Sequence, residues 1–201
     1  MTSVKKQELR QDLRRVIHNL DERWKKAACV EVGAHLSTLI DEGLGYEVNR
    51  ILAWTVAFKG EIDLSAFIAR QLRHREVYLP RMSLDGQMMF IRVDERWSSE
   101  LEIGPVGVPE PKFREEWILN TDSLEDALVV VPGLAFDIQG NRLGRGKGHY
   151  DRFLGRSGMD EITRVGVCWS VQFLQHVPTE PFDNSMDWIC HERGYVESVR
   201  A

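Results

Sequence analysis

Residues 128–131 read Leu-Val-Val-Val, and Pro132-Gly133 stops the run at once. A stretch that is apolar at every position, without alternation, marks a strand covered on both faces, as in a parallel sheet. The flanking pattern alternates helix and strand. Leu9, Leu13, Val16, Ile17 and Leu20 fall at helical spacing, predicting an amphipathic helix from Lys5 to about Leu20. A second helix is expected over Glu22–Ile40, ending near Gly43 and Gly45. Ile51–Phe58 predicts a strand, Leu64–Arg75 a helix, Val77–Leu79 a short strand stopped by Pro80, and Met88–Val93 a further strand. Leu101–Lys112 holds three prolines and two glycines and reads as a wrapping loop. Tyr150–Leu154 predicts a short helix, and Arg164–Trp169 and Trp188–His191 predict strands. This order implies an α/β fold: a mostly parallel sheet flanked by helices in a Rossmann-like three-layer architecture. At 201 residues the chain is expected to be one domain spanning 1–201.

Composition narrows the function classes. Three cysteines, Cys29, Cys168 and Cys190, are widely spaced with no CxxC pair, which fits buried, inert thiols in a reducing compartment and neither a disulfide framework nor a zinc knuckle. No apolar run is long enough for a membrane span or a signal peptide, so a cytoplasmic address is expected. The net charge of −5 argues against nucleic-acid binding. Two segments run against it. Residues 1–26 carry eight basic and four acidic residues, and residues 142–152 carry four basic and one acidic. Local basic segments in an acidic chain suit a small anionic ligand, although solvated faces give the same pattern. Lys6, Arg10 and Arg14 form a stripe bordering the apolar face of the first helix, either aimed into a cleft or snorkelling over the core edge.

The segment after the buried strand carries the chemistry, because ligands in open α/β sheets bind off the carboxyl ends of strands. Gly144, Gly146 and Gly148 alternate with Arg145 and Lys147. Bare backbone positions let N–H groups approach a phosphate, and the alternate side chains supply charge. A Walker A motif fails at Asn141 and Gly148, and a GxGxxG fingerprint fails at His149. What remains is a basic G-x-G-x-G loop, either a phosphate cradle or a flexible turn.

The stretch Val130 to Leu154, with Pro132-Gly-Leu-Ala-Phe-Asp137 and Arg142-Leu-Gly-Arg-Gly-Lys-Gly-His-Tyr-Asp151, resembles the signature of the 5-formyltetrahydrofolate cyclo-ligase family, also called 5,10-methenyltetrahydrofolate synthetases. The likeness extends over nearly the whole chain. Lys6-Gln-Glu-Leu-Arg10, Val56 through Glu61-Ile62-Asp63, Leu79-Pro80-Arg81, Met88-Met-Phe90, Gly107 to Glu110-Pro111, and Val177-Pro178 through Asp183 match family segments in order.

The resemblance implies an enzyme that uses ATP and Mg²⁺ to convert 5-formyltetrahydrofolate into 5,10-methenyltetrahydrofolate, ADP and phosphate. Phosphorylating the formyl oxygen makes it a leaving group, and N10 then closes the ring. Carried over by position, Lys6, Arg10 and the loop Arg142, Leu143, Gly144, Arg145, Gly146, Lys147, Gly148, His149 and Tyr150 match nucleotide contacts. Arg145 and Lys147 match the groups that stabilise charge on the transferred phosphoryl. Val56, Glu61 and the shared Arg145–His149 segment match folate contacts, and Asp151 and Asp183 match magnesium ligands. A first-turn helix charge or N-cap is the plain alternative for Asp151, and a strand-end acid for Glu61. Asp137 fits a turn before Gly140 better than catalysis. Met88, Phe90 and the tryptophans offer apolar surface, but they fit a core equally and are assigned no ligand.

Three positions depart from the family pattern: His149 stands where a tyrosine is usual, Phe182 precedes Asp183 in place of a polar residue, and Trp54-Thr55 stands near a usual aromatic. Competing functions are a sugar-phosphate isomerase or CoA-transferase-like enzyme needing no ATP, and a non-catalytic folate or nucleotide binder. The expected partner is a reduced folate, and the expected state a monomer or weak homodimer.

Overall fold

The computed structural model describes residues 2–54, 60–105 and 107–199. The chain begins with α1 (Thr2–His18) and α2 (Glu22–Thr38), the latter running into a π-helical turn at Leu39–Gly43. Then come β1 (Arg50–Leu52), α3 (Ser65–Gln71) and the hairpin of β2 (Glu76–Met82) and β3 (Met88–Val93). A small hairpin, β4 (Leu101–Ile103) and β5 (Pro109–Pro111), precedes β6 (Ala127–Pro132), β7 (Ala135–Asp137), β8 (Arg142–Leu143) and α4 (His149–Leu154). The chain closes with β9 (Thr163–Val167), β10 (Phe173–Leu174), β11 (Trp188–His191) and β12 (Gly194–Glu197). No helix of the described residues is long and apolar enough to cross a membrane.

The main sheet has seven strands in the order β12-β11-β9-β6-β1-β2-β3. The five inner strands are parallel, and an antiparallel hairpin partner closes each edge. β6 lies at the centre, with Leu128 opposite Ile51 and Val130 opposite Val165. Because successive side chains point to opposite faces, its apolar run is split in two. Leu128 and Val130 pack with Val32, Leu36 and Ile17 of the helical layer. Val129 and Val131 pack with Phe90, Phe136 and Phe153 on the other face. That second face is covered by α4 and by irregular chain and hairpins, so its helical layer is much thinner than a three-layer arrangement suggests.

Several boundaries differ from expectation for physical reasons. The predicted strand Val77–Leu79 continues past Pro80 to Met82. The Tyr78 carbonyl faces β1, where it accepts from Ala53 N, and Pro80, two residues on, faces the same side beyond the end of β1. The N–H that proline lacks therefore had no ladder partner there. The predicted strand Ile51–Phe58 is ordered as β1 only to Leu52, and residues 55–59 lie outside the described residues. The expected wrapping loop Leu101–Lys112 contains the β4–β5 hairpin, with Glu102 opposite Glu110. α3 stops at Gln71 instead of Arg75. The short strands β7, β8, β10 and β12 carry too few residues to show a period.

Glu110 is buried in this hairpin, and its carboxylate accepts from Met82 N at 3.2 Å. Burial pushes its carboxyl above the ordinary range, with the nearby Arg81 opposing. An acid whose pKa is raised on folding adds stability at low pH and loses it as pH rises through the raised value. Glu110→Gln is therefore expected to raise the melting temperature at pH 7–8, with the gain shrinking toward pH 4, as thermal unfolding at a series of pH values would show.

Candidate functional site

β1 leads to its right-hand neighbour β2, whereas β6 leads left to β9 and then β11. The sheet thus has its topological switch point between β1 and β6, where an open α/β sheet leaves a crevice at the carboxyl ends. The glycine loop lies at that point. Strand β7 turns back through β8, fixed by Asp137. That carboxylate is fully buried and accepts from Gln139 N, Asn141 N and Nδ2, and Val177 N at 2.7–3.1 Å. Asp137 is therefore a turn-former, as its place before Gly140 predicted. Beyond β8, Gly146 and Gly148 take φ values of +99° and +65°, which L side chains rarely adopt. Gly148 ends the loop at the first turn of α4.

The loop is clamped on several sides. Arg10 of α1 donates from Nε to Gly144 O at 2.9 Å, and its guanidinium lies against Gly146. Arg142 is almost wholly buried and donates to Pro132 O at 3.1 Å and to Asp151 Oδ1 at 2.6 Å. Arg145 Nε meets Glu61 Oε1 at 2.7 Å. Arg152 donates to Lys147 O at 2.8 Å and meets His149 Nδ1 at 3.0 Å. Burial, then the charges of Arg152 and Lys147, lowers the pKa of the His149 imidazole. Burial drives the Tyr150 phenol well above its usual range.

Lys6 is buried, donating to Asp183 Oδ2 at 2.6 Å and Glu180 Oε2 at 2.8 Å. Desolvation would lower the pKa of its ammonium, but the two carboxylates outweigh that and raise it. Asp183 Oδ2 also accepts from Glu180 N at 2.7 Å, closing the turn that carries both acids.

Two cavities meet the loop, one at Arg145 and Lys147 and the other at His149 and Asp151. One, about 1260 Å³, is walled by Glu61, Arg145, Lys147, Leu134 and Trp169, with Arg14, His18, Lys25, Lys26 and Cys29 from α1 and α2. The other, about 890 Å³, is walled by His149, Asp151, Arg152, Arg156, Phe182, Asp183 and Asn184, with Gln87 and Met88 beyond. The basic stripe of α1 therefore does face the site. Lys6 reaches the acid pair beside the second cavity, Arg10 the loop, and Arg14 the first cavity.

Most positions singled out in the sequence thus come together. Leu143 is in the core and offers a ligand no side chain, and Arg142 is occupied with Asp151. Val56 lies outside the described residues. Asp151 and Asp183 line one cavity, and Asp151 also lies in the first turn of α4, the place its plain alternative gave it. Among the described residues no three His, Cys, Asp or Glu side chains gather as a metal cage. Sequence reading missed Glu180, Arg156 and Trp169. Glu180 had no signal, since its partner Lys6 is 174 residues away. Trp169 could have been flagged as the large residue that ends the predicted strand Arg164–Trp169 at the sheet mouth.

Comparison with known proteins agrees. The sequence profile described as the 5-formyltetrahydrofolate cyclo-ligase family matches residues 2–192. The chain is 28% identical over 186 residues to the 5-formyltetrahydrofolate cyclo-ligase of Haemophilus influenzae, covering 91% of this chain and 95% of the relative. It is 30% identical to that of Saccharomyces cerevisiae, covering 95% and 97%. The NMR structure of Aquifex aeolicus 5,10-methenyltetrahydrofolate synthetase superposes with a TM-score of 0.77 at 30% identity, over 98% of this chain and 95% of that one. A profile spanning almost every residue and a fold shared end to end leave one conclusion: the chain is an enzyme of the 5-formyltetrahydrofolate cyclo-ligase family.

Proposed function

We propose that the protein converts 5-formyltetrahydrofolate to 5,10-methenyltetrahydrofolate with ATP and Mg²⁺, binding the folate and the nucleotide in the two cavities that meet the glycine loop. The observation that carries this reading is the division of roles between the two cavities. The larger holds Glu61, and a carboxylate, with about four lone-pair sites, can keep Arg145 and still accept from the N–H groups of a pterin. Val30, exposed on the same wall, offers apolar surface to the ring. The smaller holds Asp151 and Asp183 beside Arg152 and Arg156.

Magnesium fits this smaller cavity. Its wall carries Asp85, Asp151 and Asp183 against Arg152 and Arg156, so a triphosphate would meet more carboxylate than cation there. Magnesium is satisfied by one or two carboxylates with phosphate oxygens and water, and needs no protein cage. Asp151 and Asp183 would hold it, and when bound it neutralises charge on the phosphates. The protein's own groups do the rest. Arg10 fixes the loop through Gly144, and the Arg142 ion pair orients Asp151. Lys147, exposed on the wall of the folate cavity, is placed to stabilise charge as the formyl oxygen takes the phosphoryl group. N10 then attacks the activated carbon, and phosphate leaves.

The direct test is turnover: wild-type protein with 5-formyltetrahydrofolate, ATP and Mg²⁺ should form the methenyl product, seen by its absorbance, with one ADP released per ring closed. Tight folate binding with no ADP release would reject the reading in favour of a non-catalytic binder. Lys147→Ala should lower kcat by roughly 10²-fold, the range seen for a lost charge-stabilising donor. As a surface change it should alter stability by no more than about 0.5 kcal/mol. Equal activity in this variant would remove Lys147 from the chemistry. Asp151→Asn leaves the buried Arg142 guanidinium without its counter-charge, for which the expected loss is about 3 kcal/mol of stability. It should also raise the Mg²⁺ concentration needed for half-maximal rate, measured at a temperature where the variant remains folded.

A further inference from the structure

We infer that Trp54 and Trp169 are positioning residues for folate recognition, acting through the main chain on either side of Glu61. Trp169 Nε1 donates to Gly60 O at 3.2 Å, and Trp54 Nε1 donates to Ile62 O at 3.0 Å. Gly60 O belongs to the peptide unit that enters Glu61 and Ile62 O to the unit one residue beyond it, so the two indole N–H groups hold the short stretch of main chain that carries the acid. The inference rests on the reading that Glu61 receives the pterin.

Three features give the bracket its purpose. The segment is held against α1: Gly60 takes a φ of +87°, and a Cβ there would come within 2.6 Å of Ile17 Cγ2. A side chain at this position would be strained and would meet Ile17. Both indoles are themselves fixed. Trp169 is 1% exposed, lies 5.4 Å from Trp24 between ring centroids, and donates its backbone N–H to Gln172 Oε1. Gln172 in turn donates to Gly133 O and Leu134 O, tying the chain after β9 to that after β6. Trp54 is 5% exposed and leaves β1 directly. Finally, neither ring presents much surface to a ligand, so neither tryptophan acts by stacking on substrate. Their polar handle is spent on the backbone beside Glu61.

The consequence for binding is preorganisation. A carboxylate on an irregular segment must be ordered when a ligand arrives, and that cost subtracts from affinity. Holding the carbonyls of Gly60 and Ile62 settles part of that cost on folding, with Glu61 on the wall of the larger cavity beside Arg145. Gly60 is thereby linked to the chain after β9 and to that after β6, because hydrogen bonds run from Gly60 through Trp169 and Gln172 to Gly133 and Leu134, while Trp54, at the end of β1, separately holds Ile62.

The test replaces the N–H and keeps a ring. In Trp169→Phe and in Trp54→Phe, the Kd for 5-formyltetrahydrofolate without ATP and its KM in turnover should each rise about five- to tenfold, while the KM for ATP stays unchanged. Trp188→Phe alters a tryptophan of β11 that packs on Tyr195 and takes no part in this stack, and should leave folate affinity as in the wild type. In a Glu61→Gln background, Trp169→Phe should add little to the loss, since both changes act on one contact. Additive losses, an equal rise in the KM of both substrates, or an unchanged folate Kd would each overturn the inference. If one tryptophan variant does not fold, the other and the Glu61 cycle built on it decide the question. Wild-type protein that fails to bind 5-formyltetrahydrofolate at all would instead sink the reading of Glu61 as the pterin acid, which separates the two failures.

Discussion

Two buried cations hold the working end of this sheet together. Lys6 and Arg142 have almost no access to water, and an unpaired charge in that position would be prohibitive. Each is therefore bound to find carboxylates, and each finds them on a different segment: Lys6 takes Glu180 and Asp183 from the loop before β11, and Arg142 takes Asp151 from α4. The first helix, the glycine loop, the short helix after it and the late loop are thereby fixed to one another by charge, where the apolar layers of the sheet do not reach. Pairs of this kind are weak evidence for net stability, since desolvation offsets much of the attraction. Their effect is on geometry: they leave one arrangement of the loops in which no buried charge is stranded.

The same constraint explains how much of the molecule could be read in advance. Elements with a clear local pattern were legible: α1 from its apolar stripe, α2 from its run up to Gly43 and Gly45, β6 from its unbroken run, β3 and β11 to the residue. The basic stripe at Lys6, Arg10 and Arg14 left a cleft and the core edge both open; the helix buries Lys6 against Glu180 and Asp183, sets Arg10 on the glycine loop and places Arg14 on the wall of the larger cavity. Pro80 misled, because its cost in a strand depends on which side its missing N–H would face, and that is a property of the neighbouring strand's length and not of the local sequence. The hairpin in Leu101–Lys112 hid behind its prolines for the same reason: Pro109 and Pro111 sit in a two-stranded ribbon, where half the backbone groups face no partner.

The site was legible in kind and not in wiring. Glycines alternating with cations announce a loop that must approach a ligand closely, and Gly146 and Gly148 do adopt backbone angles that favour glycine. What no spacing shows is that Arg145 reaches Glu61, 84 residues away, or that Glu180 shares Lys6 with Asp183. Those contacts join segments brought together only by the crossing order of the parallel strands. Trp169 illustrates the point. Its ring reads as core, and it is core, yet its one polar atom serves a carbonyl 109 residues away.

Charge distribution links the fold to the proposed chemistry. The chain carries a net charge of −5, which repels polyanions at long range. The wall of the larger cavity nonetheless sets Arg14, Lys25, Lys26, Arg145 and Lys147 against Glu22, Glu61 and Asp63. The smaller cavity reverses the balance, with three aspartates against two arginines. A low-dielectric wall focuses such local fields, so the two cavities at one loop present opposite preferences within a few residues. A carboxylate-bearing ligand is favoured where cations dominate, and a polyphosphate is favoured on the other side only in company with a divalent cation. The glycine loop, with Arg145 on the wall of one cavity and Asp151 on that of the other, is where those two preferences meet.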